Sequence, residues 1–257
     1  LDYGEVIGKE SDMEHMADVE ESMLRMRSSM SSLIKSKDTN TVIMNRITLG
    51  TTGNPYLTVA RSSGVLTHNS HPSSFHLELV VVESDGAERI LNAINGEMAY
   101  ISNNYYFHDQ TYYFTAGGVV LGQYGSEVMS SYPDITVVPT DTGYSIQLYL
   151  YGMASDYFKI SGIDSLALKI KMAGYSEIEE DLDAGDVLSI RVNGVGEEAW
   201  HDYLKGYLTE IGLVEGEGLD FQISAPTDWD DPAQELEIDL TGIEAVYAVM
   251  GDMEVNL

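Results

Sequence analysis

Cysteine is absent from these 257 residues, which excludes a disulfide framework, a thiolate metal site and a cysteine nucleophile. Base is scarce as well: 13 Lys and Arg stand against 42 Asp and Glu, a formal net charge of −29. No Lys or Arg lies between Arg89 and Lys159, and none follows Lys205, although thirteen carboxylates fall in the last 52 residues. A surface of that sign repels phosphate backbones and anionic headgroups, so nucleic acid is excluded as a partner. No apolar run reaches the ~18 residues that a bilayer span requires, and residues 1–257 are not expected to include a secretory leader. The first residue is Leu1 and not Met, from which a processed or truncated chain is expected, with membrane attachment only through a segment upstream of Leu1. Catalytic signatures are lacking too. There is no nucleophile elbow, no His-Glu-x-x-His helix, no phosphate-cradling loop with Lys and no dinucleotide fingerprint, and the expectation is a non-enzyme.

What is present begins with a helix. Met16, Val19, Met23, Met26, Met30 and Leu33 recur at alternating spacings of three and four, the period of one helical face. Ser11 and Asp12 read as N-cap residues. Asp12, Glu14, Asp18, Glu20 and Glu21 crowd the early turns, and Arg25, Arg27, Lys35 and Lys37 the later ones, which suits the helix macrodipole. Residues 1–37 are therefore expected to form an N-terminal helix, a stalk or spine, with a joint at Asp38 to Asn40. Its seam has two uses: packing on the chain's own body, or contact with other copies or with an upstream hydrophobic helix.

Residues 38–257 read as a β-rich domain, because period-two runs alternate with Gly, Pro, Asn and Asp. In Tyr144 to Tyr151 and in Leu166 to Met172 apolar and polar residues alternate, as in antiparallel strands with one wet face. Phe75 to Glu83 is more continuously apolar and reads as an interior strand. The spacing of about ten residues favours an antiparallel β-sandwich or jelly roll. One further helix is expected at 197–211, where Trp200, Tyr203, Leu204, Tyr207, Leu208 and Ile211 share a side and Gly212 stops the pattern, packed on the sheet.

Three groups of residues are candidates for binding. Tyr105, Tyr106 and Phe107, then Tyr112, Tyr113 and Phe114, read as an aromatic hairpin turning at Asp109 and Gln110. On a strand pair, half of those rings face outward, so Tyr105, Phe107, Tyr112 and Phe114 are candidates for subunit contact or sugar stacking. Two acidic loops offer oxygens for calcium, Asp181, Asp183 and Asp186 in one, Asp228, Asp230 and Asp231 in the other. Solvated turns of Asp and Gly explain the same residues. His68, His71, His76 and His108 invite a zinc reading, but their spacing does not make a ligand set.

Finally, GEMAYISNNYYFHDQTYYFTAGGVVL from Gly96 to Leu121, Tyr132-Pro133, the helix from Asp12 to Lys37, Arg61-Ser-Ser-Gly64 and Trp200-x-x-Tyr203 together resemble uncharacterised archaeal surface proteins of pilin-like organisation. Proteins of that kind begin with a class III signal sequence and one hydrophobic helix that builds the filament core, and this chain lacks both. The resemblance implies the ectodomain of a pilin-like or membrane-anchored cell-surface protein, extracellular and non-enzymatic. It further implies self-association or association with other cell-surface proteins. The alternative is a ligand-binding β-sandwich module for carbohydrate or calcium.

Overall fold

The computed structural model describes residues 3–51, 60–68, 74–154, 156–216, 218–229 and 234–257. Strands hold 51% of the chain, arranged as three antiparallel-rich sheets with an N-terminal helix and one further helix. The sandwich-like body expected from the alternating runs is therefore present, with a third sheet added.

The middle sheet has the order β1 (Val42–Thr48), β12 (Ser165–Asp181), β16 (Ile243–Asn256), β10 (Tyr144–Met153), β9 (Asp134–Pro139), and within it β10 and β16 run parallel. A second sheet on the helix side runs β11 (Phe158–Gly162), β2 (Ser63–His68), β5 (Glu97–Asn103), β6 (Thr111–Thr115), β7 (Gly118–Gln123), β8 (Ser126–Ser131). The far sheet runs β14 (Phe221–Ser224), β15 (Leu236–Leu240), β13 (Val187–Asn193), β3 (His76–Val82), β4 (Glu88–Asn95). The interior strand expected at Phe75 to Glu83 is β3, paired on both sides.

The middle sheet has a core on each face because side chains alternate along a strand. Ile146, Leu148 and Leu150 of β10 join the far-sheet core, whereas Tyr151 and Met153 join the helix-side core. Long β12 serves both cores through a bulge. Leu168, Ile170 and Met172 lie in the helix-side core, the register shifts between Met172 and Gly174, and Ile178 packs on the far-sheet core. One extra residue reverses which face the following side chains occupy.

The first helix, α1, spans Tyr3–Ser36. It contains no proline and is rich in Met and Glu, and its 34 residues extend about 50 Å at 1.5 Å each. It begins eight residues before Ser11, so Ser11 and Asp12 lie inside it. It ends with Lys37 in the left-handed region at φ 54°, where Asp38 N donates to Leu33 O at 3.0 Å and Lys37 N to Ile34 O at 3.2 Å. Those two bonds satisfy the last carbonyls as a Schellman turn does. Nor is α1 a stalk. All six seam residues are buried with Ile47, Leu66, Met98, Phe114, Leu168 and Val255 from the two flanking sheets.

The second helix, α2 (Glu197–Glu210), agrees with the expected 197–211. Trp200, Leu204 and Leu208 enter the far-sheet core, and Trp200 Nε1 donates to Thr115 Oγ1 at 3.0 Å. Gly212, at φ 92°, ends it by the same Schellman device: Leu213 N donates to Leu208 O at 3.0 Å, and both side chains are buried. Among the described residues no helix is long and apolar enough to cross a membrane.

Candidate functional site

The seam residues Met16, Val19, Met23, Met26, Met30 and Leu33 belong to the core and offer no surface to another copy. The reason is the fold itself: two sheets turn apolar faces toward one helix, and the Met stripe fills the space between them. Polar bonds hold the helix at both ends of that stripe. Toward the C-terminal end, Asp134 accepts from Ser31 Oγ and pairs with Lys35 at 2.8 Å and with Arg27 at 3.2 Å. Burial opposes ionisation of Asp134, but Lys35, Ser31 and Arg27 outweigh it and hold the carboxyl below its ordinary value.

Toward the N-terminal end the arrangement is less ordinary. Asp12 is buried mid-helix, where a carboxylate is costly unless several donors reach it. Three do: Ser62 Oγ at 2.5 Å to Oδ1, and the backbone amides of Tyr106 at 2.8 Å and Phe107 at 3.2 Å to Oδ2. Ser62 Oγ in turn accepts from Tyr105 N at 3.0 Å. One helical turn further, His15 Nε2 lies 2.9 Å from Tyr100 Oη, and that hydroxyl donates to Leu49 O at 2.9 Å. With its proton on Leu49, the Tyr100 oxygen accepts from His15, which fixes the imidazole tautomer. Burial keeps His15 below its ordinary pKa, against the opposing effects of the Leu49 backbone, Asp18 and Asp12.

These bonds hold a loop and not the expected hairpin. Tyr105, Tyr106 and Phe107 lie in residues 104–110 between β5 and β6, while Tyr112 and Phe114 point from β6 into the helix-side core. Ser102 N donates to Gln110 O at 2.9 Å, and beyond that bond side chains close the loop: Asp109 Oδ1 accepts from Asn104 N at 2.7 Å and Ser102 Oγ from Gln110 N at 2.7 Å. Tyr106 packs over Gly8, where a Cβ would stand 2.3 Å from its ring. The His108 ring lies between Phe107, at 3.5 Å, and Tyr124, at 4.8 Å. Tyr124 occupies the tip of the β7–β8 hairpin at φ 55°, ahead of Gly125 at φ 78°, and is 81% exposed. Of the four aromatic residues expected to face outward, Tyr105 does so, Phe107 is half-buried, and Tyr112 and Phe114 are core.

Two further features had no signal of their own in the linear pattern. Tyr132 stacks on Tyr203 at 4.9 Å, and Tyr203 on Tyr207 at 5.9 Å, a ladder of rings between β8 and α2. The i, i+4 spacing of Tyr203 and Tyr207 was legible, but not the distant Tyr132. Glu197, at the start of α2, is buried, and its Oε1 accepts from Gly194 N at 3.1 Å. Burial, reinforced by Glu235 and Glu127, pushes its pKa up to about 7.

The metal candidates do not converge. Asp186 is used by its own turn and by the β3–β4 connection: Oδ2 accepts from Asp183 N at 3.2 Å and Oδ1 from Ser84 N at 3.1 Å. Asp181 ends β12 in the open. Asp228 is described, whereas Asp230 and Asp231 lie outside the described residues, as does His71. His68 is buried and stacked on Phe158 at 5.5 Å, and burial pushes its pKa down to about 4. His76 binds Asn95 and Glu78 on the far sheet. Among the described residues no three His, Asp or Glu side chains are grouped to hold a metal ion. Comparison with protein families, with characterised proteins and with solved structures finds no match to this chain.

Proposed function

We propose that the chain is a non-enzymatic structural protein of the cell surface, pilin-like in plan, which associates with copies of itself through surfaces displayed around a buried helical spine. The observation that carries this reading is the clamp at Asp12, where a buried carboxylate on the spine fixes two backbone amides of the segment that presents Tyr105 and, through Ser62 Oγ, the amide of Tyr105 itself. A loop held in one conformation before contact loses little entropy on binding, and exposed tyrosines combine large apolar area with a polar edge. Tyr105 and Tyr124, at one end of the body, are the contact residues of this reading.

Sedimentation of the full chain over a range of concentrations tests it. The weight-average mass should rise with concentration, and Tyr105→Ser with Tyr124→Ser should weaken that rise about tenfold without moving the thermal melt. A chain that stays monomeric throughout would refute the reading. A second reading, carbohydrate binding, is favoured by the same exposed rings beside His108. Glycan binding lost in the double variant, with self-association unchanged, would select it.

A further inference from the structure

We propose that copies of this chain join head to tail, an uncovered ledge of the middle sheet in one copy seating the outward face of α1 in the next; this rests on the self-association reading and names the surfaces that would carry it. The ledge lies at the β1 end of the middle sheet. Leu168, Ile170 and Met172 point toward α1, so the alternating Ala167, Lys169 and Lys171 point the other way. In register beside them stand Arg46, Met44 and Val42 of β1.

The far sheet covers this face over β10 and β16, but no residue of β1 or of 165–172 belongs to the far-sheet core. Val42 and Met44 are left 52% and 58% exposed, Arg46 and Lys169 exposed, and Lys171 half-buried. Among the described residues, Arg25, Arg27, Lys35, Lys37, Arg89, Arg191 and Lys205 each have a carboxylate partner; of the six Lys and Arg without one, Lys9, Arg61 and Lys159 are scattered, and Arg46, Lys169 and Lys171 lie together on the ledge. Glu254 of β16 stands across from Lys171 in register and forms no ion pair with it. In a chain of net charge −29, three cations without an ion pair thus gather beside two exposed apolar side chains.

The complementary surface is on the same chain. Val6 and Met13, seven residues apart on α1, are exposed on the side away from the seam, and an open hollow of about 610 Å³ is lined by Val6, Lys9, Glu10, Met13 and Glu14. Glu5, Glu10, Glu14 and Asp18 are all exposed along that stretch, with Lys9 as the one cation among them. An apolar stripe bordered by acid matches an apolar pair bordered by base, in sign and in kind. The two surfaces cannot meet within one molecule, because α1 packs on the face of the middle sheet opposite the ledge. Between molecules they form a contact of two different surfaces, which adds copies head to tail into a ring or an open chain according to the rotation between neighbours. The mutual repulsion of acidic copies does not forbid it, since at 0.15 M salt exposed charges are screened beyond ~8 Å.

Charge reversal tests the contact in a Tyr105→Ser, Tyr124→Ser background, where the aromatic end cannot contribute. Lys169→Glu with Lys171→Glu makes both surfaces acidic; Glu10→Lys with Glu14→Lys makes both basic. Each variant alone should associate at least about tenfold more weakly than its parent, and an equimolar mixture should recover the parent's concentration-dependent mass, because opposite surfaces meet again. Glu10, Glu14 and Lys169 are exposed and Lys171 is half-buried on the open face of an outer strand pair, so both variants should melt close to the parent, and a melt of each checks it. If the mixture stays monomeric up to about 1 mM, or either variant alone grows as the parent does, the ledge contact is wrong. Association of the unmutated chain alongside such a failure would leave the self-association reading standing; a monomeric unmutated chain would remove both.

Discussion

Replacing Asp12 with Ala should be among the most damaging single changes at a position the sequence presents as ordinary helix. Its carboxylate accepts from Ser62 Oγ, Tyr106 N and Phe107 N. Removing it strands two backbone amides that no rotation can re-aim, plus one hydroxyl that can turn. At ~1–3 kcal/mol for each buried unsatisfied donor, the total is about 4 kcal/mol. An unfolding entropy of ~2.1 cal/mol/K per residue, over 257 residues, converts that loss to a fall in Tm of about 7 °C. Asp12→Asn keeps one carbonyl-type oxygen for the two amides and should cost roughly a third as much. Differential scanning calorimetry reads both values, and hydrogen exchange at Tyr106 and Phe107 reads the site directly. Those amides should exchange much faster in the Ala variant. An Ala variant melting within about 1 °C of the parent, or an Asn variant as damaged as the Ala one, would refute the assignment of the carboxylate as a clamp.

Met23→Asp with Met30→Asp should abolish the far-ultraviolet strand signal and leave no folded β body. Both side chains are 0% exposed between two sheets, large-to-small changes there cost ~2–5 kcal/mol each, and a buried unpaired charge adds to that. A β body that survives would show instead that the helix is dispensable to the core. Glu197 predicts a pH effect. Its folded pKa of about 7 lies above the unfolded carboxyl value of 4.5, so the native state holds a proton that the unfolded state has released. Stability from this group is complete below about pH 4.5 and is lost as pH rises through about 7, by about 3 kcal/mol. Urea titrations of Glu197→Gln and parent should therefore agree near pH 5 and separate near pH 8, the Gln variant being the more stable; curves that stay parallel would exclude the buried, protonated state.

Much of the fold was legible because its signals are local. The three-and-four spacing from Met16 to Leu33 required a helix face, and the alternation in Tyr144 to Tyr151 required a strand with two unlike sides. Trp200, Leu204, Leu208 and Gly212 announced both the body and the end of α2. The errors have physical causes as well. Ser11 and Asp12 carry the composition of an N-cap, yet nothing in their immediate neighbours reveals that distant amides will compete for the Asp12 carboxylate. Tyr105 to Phe114 carries strand-like composition throughout, but Asn104, Asp109 and Ser102 divert the backbone into a loop whose side-chain bonds replace the ladder.

The sequence by itself determined the class: one long helix, many half-buried antiparallel strands, one covering helix, no thiol chemistry and an acidic surface. Each of these follows from periodicity or composition, quantities that a short window contains. Only the tertiary structure decided what the faces meet. It placed the Met seam in the core, turned Tyr112 and Phe114 inward, bound Asp12 to a loop 94 residues away, and gathered Arg46 with Lys169 and Lys171 on one uncovered ledge. A period tells which side chains share a face; the partner of that face is chosen by contacts between segments far apart in the chain, whose loop-closure entropy and packing no local pattern records.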